Sequence, residues 1–191
     1  MIQNALNFLK EELNAYLSKT FNISDEIVFI TNINKSDVKL SSEFINAVSL
    51  MHINIHEEKA IQSPKIIQNT DDSTVGTINP QLNLNLTVLV VTNFEKYTES
   101  LKYLDAILLF FQSKNYFSKE DSSFFPTGNL QSLRINLETL SMEEQFQMWG
   151  MLGISYVPYL IYKLRMLAVQ DNRIISKTKK VSGIDYKISR K

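Results

Sequence analysis

Few side chains in this sequence have the types and spacing that acid–base or metal chemistry needs. His52 and His56 lie four residues apart, and Glu57 and Glu58 come directly after them. On a helix that spacing would turn two imidazoles to one side, as in a zinc site. The segment alternates instead: Ala47, Ser49, Met51, Ile53 and Ile55 fall on one side, and Val48, Leu50, His52 and Asn54 on the other. That period of two predicts a strand. Residues four apart on a strand share a face but stand ~13 Å apart, too far to ligate one ion. Asp71 and Asp72 are adjacent carboxylates which, with His56, a small hydrolase or nuclease could use. A two-carboxylate mechanism needs its acids at a set distance across a pocket, and adjacency does not supply that. The chain has no cysteine, which removes disulfides, thiolate metal sites and cysteine nucleophiles. Its five glycines form no phosphate-cradling loop, and no serine elbow occurs. These residues predict neither an enzyme nor a resident metal or cofactor.

The elements that would position any site can be read from periodicity. Residues 1–18 carry Ile2, Ala5, Leu6, Leu9, Leu13, Tyr16 and Leu17 as one helical stripe. Residues 26–31 read as a short strand, 35–42 as a polar loop and 47–55 as the strand already described. Residues 82–92 alternate as Leu82, Leu84, Leu86, Val88 and Val90 and give the clearest strand. Residues 95–113 form a helix, with Tyr97, Leu101, Leu104, Leu108 and Phe111 at helical spacing and Ile107, Leu109 and Phe110 widening the apolar face. Residues 116–128 read as an aromatic loop, and 130–137 as a strand with Leu133, Ile135 and Leu137 on one face. Ser141 with Glu144 three positions on is a capping-box pattern that opens the next helix. Residues 159–169 read as a long strand, Asp171-Asn172 as a turn, and 174–191 as a last hairpin turning at Ser182-Gly183. The order predicts an α+β fold: a mostly antiparallel or mixed sheet with helices packed on one face. One domain over 1–170 and a basic extension over 171–191 complete the plan.

The densest cluster of rare residues is the run from Trp149 to Pro158. It holds the single Trp, Gly150 and Gly153, and Pro158. Phe146 and Trp149 lie three apart on one helical face, and Gly153 is placed to end the helix in the left-handed region that favours glycine. Pro158 bars helix continuation and favours an extended entry into the next strand. Nothing in this corner is a nucleophile, a base or a metal ligand; it places elements. Beyond it, Lys163 and Arg165 share a strand face with Tyr159 and Ile161. Cations on an otherwise apolar strand face either protect a sheet edge or form an interface.

The formal net charge is zero, but the charges are unevenly distributed. Residues 171–191 hold seven of the twenty bases and two of the twenty acids, which leaves thirteen bases and eighteen acids for the rest. An acidic body with a basic tail suits head-to-tail contact between copies, or docking on an acidic surface. Arg173, Lys177, Lys179, Lys180, Lys187 and Arg190 are the candidate contacts. Tyr186 among these bases could stack on a nucleic-acid base, but no nucleic-acid motif accompanies it and the body is acidic. Residues 59–80 are polar yet carry Ile66, Ile67, Val75 and Ile78, too apolar for a plain linker; they predict an arm that orders against a partner. No apolar run is long enough to span a bilayer, and the first residues lack a basic leader, so the expected compartment is the cytoplasm.

The sequence also resembles a known family. Trp149, Leu152, Gly153, Tyr156, Pro158, Tyr162 and Arg165 are similar to the signature of cap, or tail-terminator, proteins of contractile injection systems, the antifeeding-prophage-like particles related to phage tails. Met1-Ile2, Leu6, Leu9, Leu13-Asn14 and Tyr16-Leu17 resemble that family's first helix. Val48, Leu50, Ile53 and Glu57-Glu58 are similar to its strand ending in paired acids. Asn79-Pro80, Leu82 and Leu84-Asn85-Leu86 resemble the strand after its long loop, and Leu108, Phe111-Gln112 and Phe117 the end of its central helix. Gln81 and Tyr159 depart from the pattern, where the family often has a second Pro and a small residue.

The resemblance implies a tail-terminator-like fold and a structural protein. It implies a hexameric ring at the end of the particle opposite the baseplate. There the ring would bind the last inner-tube ring and the last sheath layer and end polymerisation, after assembly in the cytoplasm. The residues themselves predict no cofactor, no nucleic acid and no membrane insertion. An adaptor ring elsewhere in the same particle is the alternative that the resemblance leaves open. A ring of identical subunits needs two different surfaces to meet, and the uneven charge could supply them.

Overall fold

The computed structural model describes residues 2–33, 45–58, 66–69, 74–79, 82–126, 130, 132–169 and 174–179. In chain order the elements are α1 (Ile2–Phe21), β1 (Val28–Ile30), β2 (Ala47–Glu57), β3 (Ile66–Asn69), β4 (Thr74–Ile78), β5 (Leu82–Asn93), α2 (Tyr97–Ser113), β6 (Tyr116–Ser118), β7 (Ser132–Glu138), α3 (Met142–Leu152), β8 (Tyr159–Val169) and β9 (Ile174–Lys179). Six strands form one sheet in the order β1-β2-β5-β8-β7-β6, and β3-β4-β9 form a smaller one. Among the described pairings only β1 with β2 is parallel. This is the α+β architecture with a mixed, mostly antiparallel sheet that the periodicity predicts.

β5 is central because both its faces are covered. Leu86, Val88 and Val90 join the core built with α1 and α2, whereas Leu89 and Val91 join Met148 and Leu152 of α3 and Ile161 of β8. Successive strand residues point to opposite faces, so these two clusters lie on opposite sides of the sheet. The helices therefore do not all pack on one face as expected: α1 and α2 cover one side and α3 the other. The cause is in β5 itself, whose alternation gives way to an unbroken apolar run from Val88 to Val91, and each of these four residues is buried. An apolar run on both faces of a strand needs cover on both.

On the α1/α2 face, α1 buries Ala5, Leu6, Phe8, Leu9, Leu13, Asn14 and Leu17. Phe8 meets the rings of Phe117 and Phe125, each at 5.2 Å in edge-to-face geometry. The start of the expected aromatic loop is thus β6, which pairs with β7 and carries Phe117 into the core. In α2 the buried stripe is Tyr103, Ala106, Ile107, Phe110 and Phe111, while Tyr97, Leu101 and Leu109 are exposed. The helix is rotated from the expected face because its aromatic residues meet rings from elsewhere. Tyr103 stacks on Phe94 at 4.3 Å and packs against Phe21, and Phe110 packs against Tyr16.

Two segments expected to stand apart pair with each other. Within residues 59–80, β3 and β4 form a hairpin, and β4 also pairs with β9 from the basic tail, Val75 opposite Thr178 and Gly76 opposite Lys177. Ile78 is buried and Val75 half-buried in this small sheet.

Candidate functional site

The helix-to-strand corner is built as its residue types dictate. Ser141 caps α3: its hydroxyl accepts from the Glu144 amide at 3.2 Å, and its own amide donates to the Glu144 carboxylate at 2.8 Å. The Ser141 amide, and secondarily its hydroxyl, hold the Glu144 carboxyl below its ordinary pKa by hydrogen bonding to its charged form. Gly153 ends the helix at φ 65° and ψ 24°, and its amide donates to the Trp149 carbonyl. The Pro158 carbonyl then accepts from the Thr92 amide at 3.0 Å, which sets the register in which β8 joins β5. Trp149, Tyr156 and Tyr159 form an edge-to-face trio with centroids 5.1–6.1 Å apart. Burial raises the Tyr159 phenol above its usual pKa. Met142 and Phe146, one helical turn apart, are each 81 % exposed on the outer side of α3.

The corner residues do not converge on one cavity. Leu152 is buried under α3, Pro158 is buried at the bend, and Gly153 is exposed. Tyr162 points to the other face, against Phe111 at 4.6 Å, and its buried hydroxyl has no hydrogen-bond partner among the described residues. Burial holds that phenol well above its usual pKa. It lines a cavity of about 580 Å³ between α2 and β7, with Leu108, Phe111, Ile135 and Leu137.

The paired-histidine geometry differs from the expected one. A β-bulge at Ile53 shifts the register, so that His52 opposes Val88 and His56 opposes Asn85. Val88 and Asn85 point to opposite faces, and the two imidazoles therefore do too. Among the described residues no three His, Asp or Glu side chains group closely enough to hold an ion. Glu57 is exposed, whereas Glu58 accepts a hydrogen bond from the Asn85 side chain at 3.0 Å. Asp71 and Asp72 lie outside the described residues.

β8 is an interior strand, paired with β5 on one side and β7 on the other. Edge protection thus does not account for Lys163 and Arg165. Both share the α3 face, where Arg165 lies between Asn85 of β5 and Arg134 of β7, and Lys163 between Thr87 and Asn136. Arg134 in turn opposes Tyr116 of β6, its guanidinium 5.8 Å from the ring centre. Residue order alone does not single out Arg134, although it stands as a cation inside the apolar alternation of Leu133, Ile135 and Leu137. An open groove of about 530 Å³ runs between these rows and α3, lined by His56, Thr87, Lys163, Met148, Met151 and Ile161 among others.

The candidate partner contacts fall in the small sheet or beyond it. Ile66 and Ile67 lie in β3, Val75 and Ile78 in β4, and Lys177, which is exposed, in β9 with Lys179. Asn79 is exposed just past β4. Pro80, Arg173, Lys180, Lys187 and Arg190 lie outside the described residues, as do the expected 35–42 loop and the Ser182-Gly183 turn. Among the described residues no helix is long and apolar enough to cross a membrane.

This α+β fold, a mixed sheet with helices on both faces and a small second sheet, is similar to that of solved terminator structures. One similar solved structure is the sheath/tube terminator of the extracellular contractile injection system PVC in its extended state. It matches with a TM-score of 0.65 at 13% identity, over 100% of this chain and 64% of that one. The tube-terminating cap of the anti-feeding prophage matches with a TM-score of 0.62 at 11% identity, over 96% of this chain and 60% of that one. The chain belongs to the Pvc16 N-terminal domain family, which matches residues 5–182. It spans less than two thirds of the length of the two terminators. A comparison with curated proteins found no match.

Proposed function

We propose that this chain is a terminator subunit of a contractile injection particle. Copies form a ring, hexameric as the family resemblance implies, on the end of the inner tube opposite the baseplate. The ring ends tube growth and fastens the last sheath layer to it. It acts by shape and contact, without a catalytic step. The observation that carries this reading is that the fold of a sheath/tube terminator extends over the whole chain. The small sheet of β3, β4 and β9 joins part of the arm to the start of the basic tail, and we infer that this element reaches a neighbouring ring.

Native mass measurement tests the proposal, first on the protein alone and then with its tube and sheath proteins. A discrete hexamer, or a monomer that assembles only on tube ends, is the expected result. Binding to sheath without any effect at the tube end would favour an adaptor ring elsewhere in the particle. A monomer indifferent to both proteins would refute the terminator reading.

A further inference from the structure

Arg134 and Arg165 are directly opposite on adjacent antiparallel strands, in the interior of the six-stranded sheet. Like charges so placed repel one another and destabilise the sheet. Lys163 lies two residues from Arg165 on the same face, ~7 Å along the strand. Among the described residues none of the three takes part in a salt bridge. His56 extends the Arg134–Arg165 row across Asn85. The described acids nearby are Glu58, which accepts from Asn85, and Glu138 at the α3 end of the groove. A fold that sets three cations together in mid-sheet, where no edge needs protecting, is complementary to an anionic partner.

We propose that this face docks an acidic segment of another polypeptide chain. Arg134, Lys163 and Arg165 take its carboxylates, and the groove that Lys163 shares with Met148, Met151 and Ile161 takes an apolar side chain of the same strand face, beyond the carboxylates. The spacing fits a partner with carboxylates on alternate residues of a strand. Two features favour a polypeptide over nucleic acid. The groove has a methionine wall, which suits an aliphatic side chain. The ring in the cationic row, Tyr116, is already met by the Arg134 guanidinium, which competes with a base for stacking on it.

The test is fluorescence anisotropy with a short labelled peptide that carries Glu, Glu and Leu at successive alternate positions, so that they share one strand face, and with a single-stranded oligothymidylate of equal charge. The parent protein should bind the peptide, more weakly at high salt, and bind the oligothymidylate less tightly. Lys163→Gln and Arg165→Gln should each weaken peptide binding about tenfold, the scale of one charged hydrogen bond. Lys102→Gln, on the far side of the sheet, should change nothing. Arg134→Gln should weaken binding and also raise the melting temperature, because it removes the Arg–Arg repulsion. Equal weakening by Lys102→Gln, unchanged binding in the three face variants, or tighter binding of the oligothymidylate would overturn the proposal. The measurement needs neither tube nor sheath, so it can fail while the terminator reading stands, and the reverse.

Discussion

Asn14, in the middle of α1, is joined to both backbone groups of Val28 in β1. Its side-chain oxygen accepts from the Val28 amide at 2.9 Å and from the Ile27 amide at 3.0 Å, and its side-chain nitrogen donates to the Val28 carbonyl at 3.2 Å. The only described parallel strand is thereby held to the first helix by a single buried amide. Asn14→Leu keeps the size but leaves those three backbone groups unpaired. It should cost roughly 2–4 kcal/mol, read as a lower urea midpoint with unchanged slope. A loss below about 0.5 kcal/mol would show that water takes over these bonds.

Gly153 is the described glycine with positive φ. Gly153→Ala should cost about 1–2 kcal/mol through left-handed strain, and Gly153→Asn less, because Asn tolerates that region better. Thermal unfolding of the two variants checks the order. If both lose stability equally, packing at the corner sets the cost, not φ.

The capping box makes stability depend on pH in a definite direction. Glu144 has a lowered pKa in the fold because Ser141 hydrogen-bonds to its charged form. Its contribution is therefore present above the ordinary carboxylate pKa and is lost as pH falls through the lower folded value. The stability gap between the parent and Glu144→Gln should be widest near neutral pH and should shrink in acid, because the Ser141 amide donates to the charged carboxylate. A gap independent of pH would mean that the carboxylate's charge adds nothing to the box.

Tyr162 carries a buried hydroxyl without a described partner, so its ring and its hydroxyl should contribute with opposite sign. Tyr162→Phe should be neutral or stabilising, because it removes a desolvated polar group and keeps the contact with Phe111. Tyr162→Ala should cost roughly 3–5 kcal/mol by opening a cavity in the core. Calorimetry on both variants decides; a clear loss in Tyr162→Phe would reveal a water or a partner bonded to the hydroxyl.

The terminator reading predicts a separation of folding from capping. Deleting the residues after 170 removes β9 from the small sheet but leaves every pair of the six-stranded sheet in place. The shortened chain should melt cooperatively and should no longer stop tube growth in electron micrographs of assembled tubes. Capping at full efficiency would remove the tail from the binding elements.

The element types and the corner were legible from residue order. The helical stripe of α1, the alternation of β5, the Ser141–Glu144 box and the Gly153 stop are local signals, each set by neighbours within a few positions. The strands β3, β4 and β6 were hardly legible, for they are three to five residues long and too short for a period to emerge, whereas β9 begins where the last hairpin was expected.

By itself, the sequence determined where the helices and the longer strands run, that no cysteine chemistry operates, and which family the chain resembles. The tertiary structure decided which strands adjoin. That choice turned Lys163 and Arg165 from possible edge guards into an interior cationic face with Arg134, and it joined the arm to the tail. One bulge at Ile53 parted His52 from His56, and burial on both sides of β5 sent α3 to the opposite face. The reason is physical: alternation fixes that neighbouring side chains point to opposite sides, whereas pairing and register depend on contacts between residues distant in the chain.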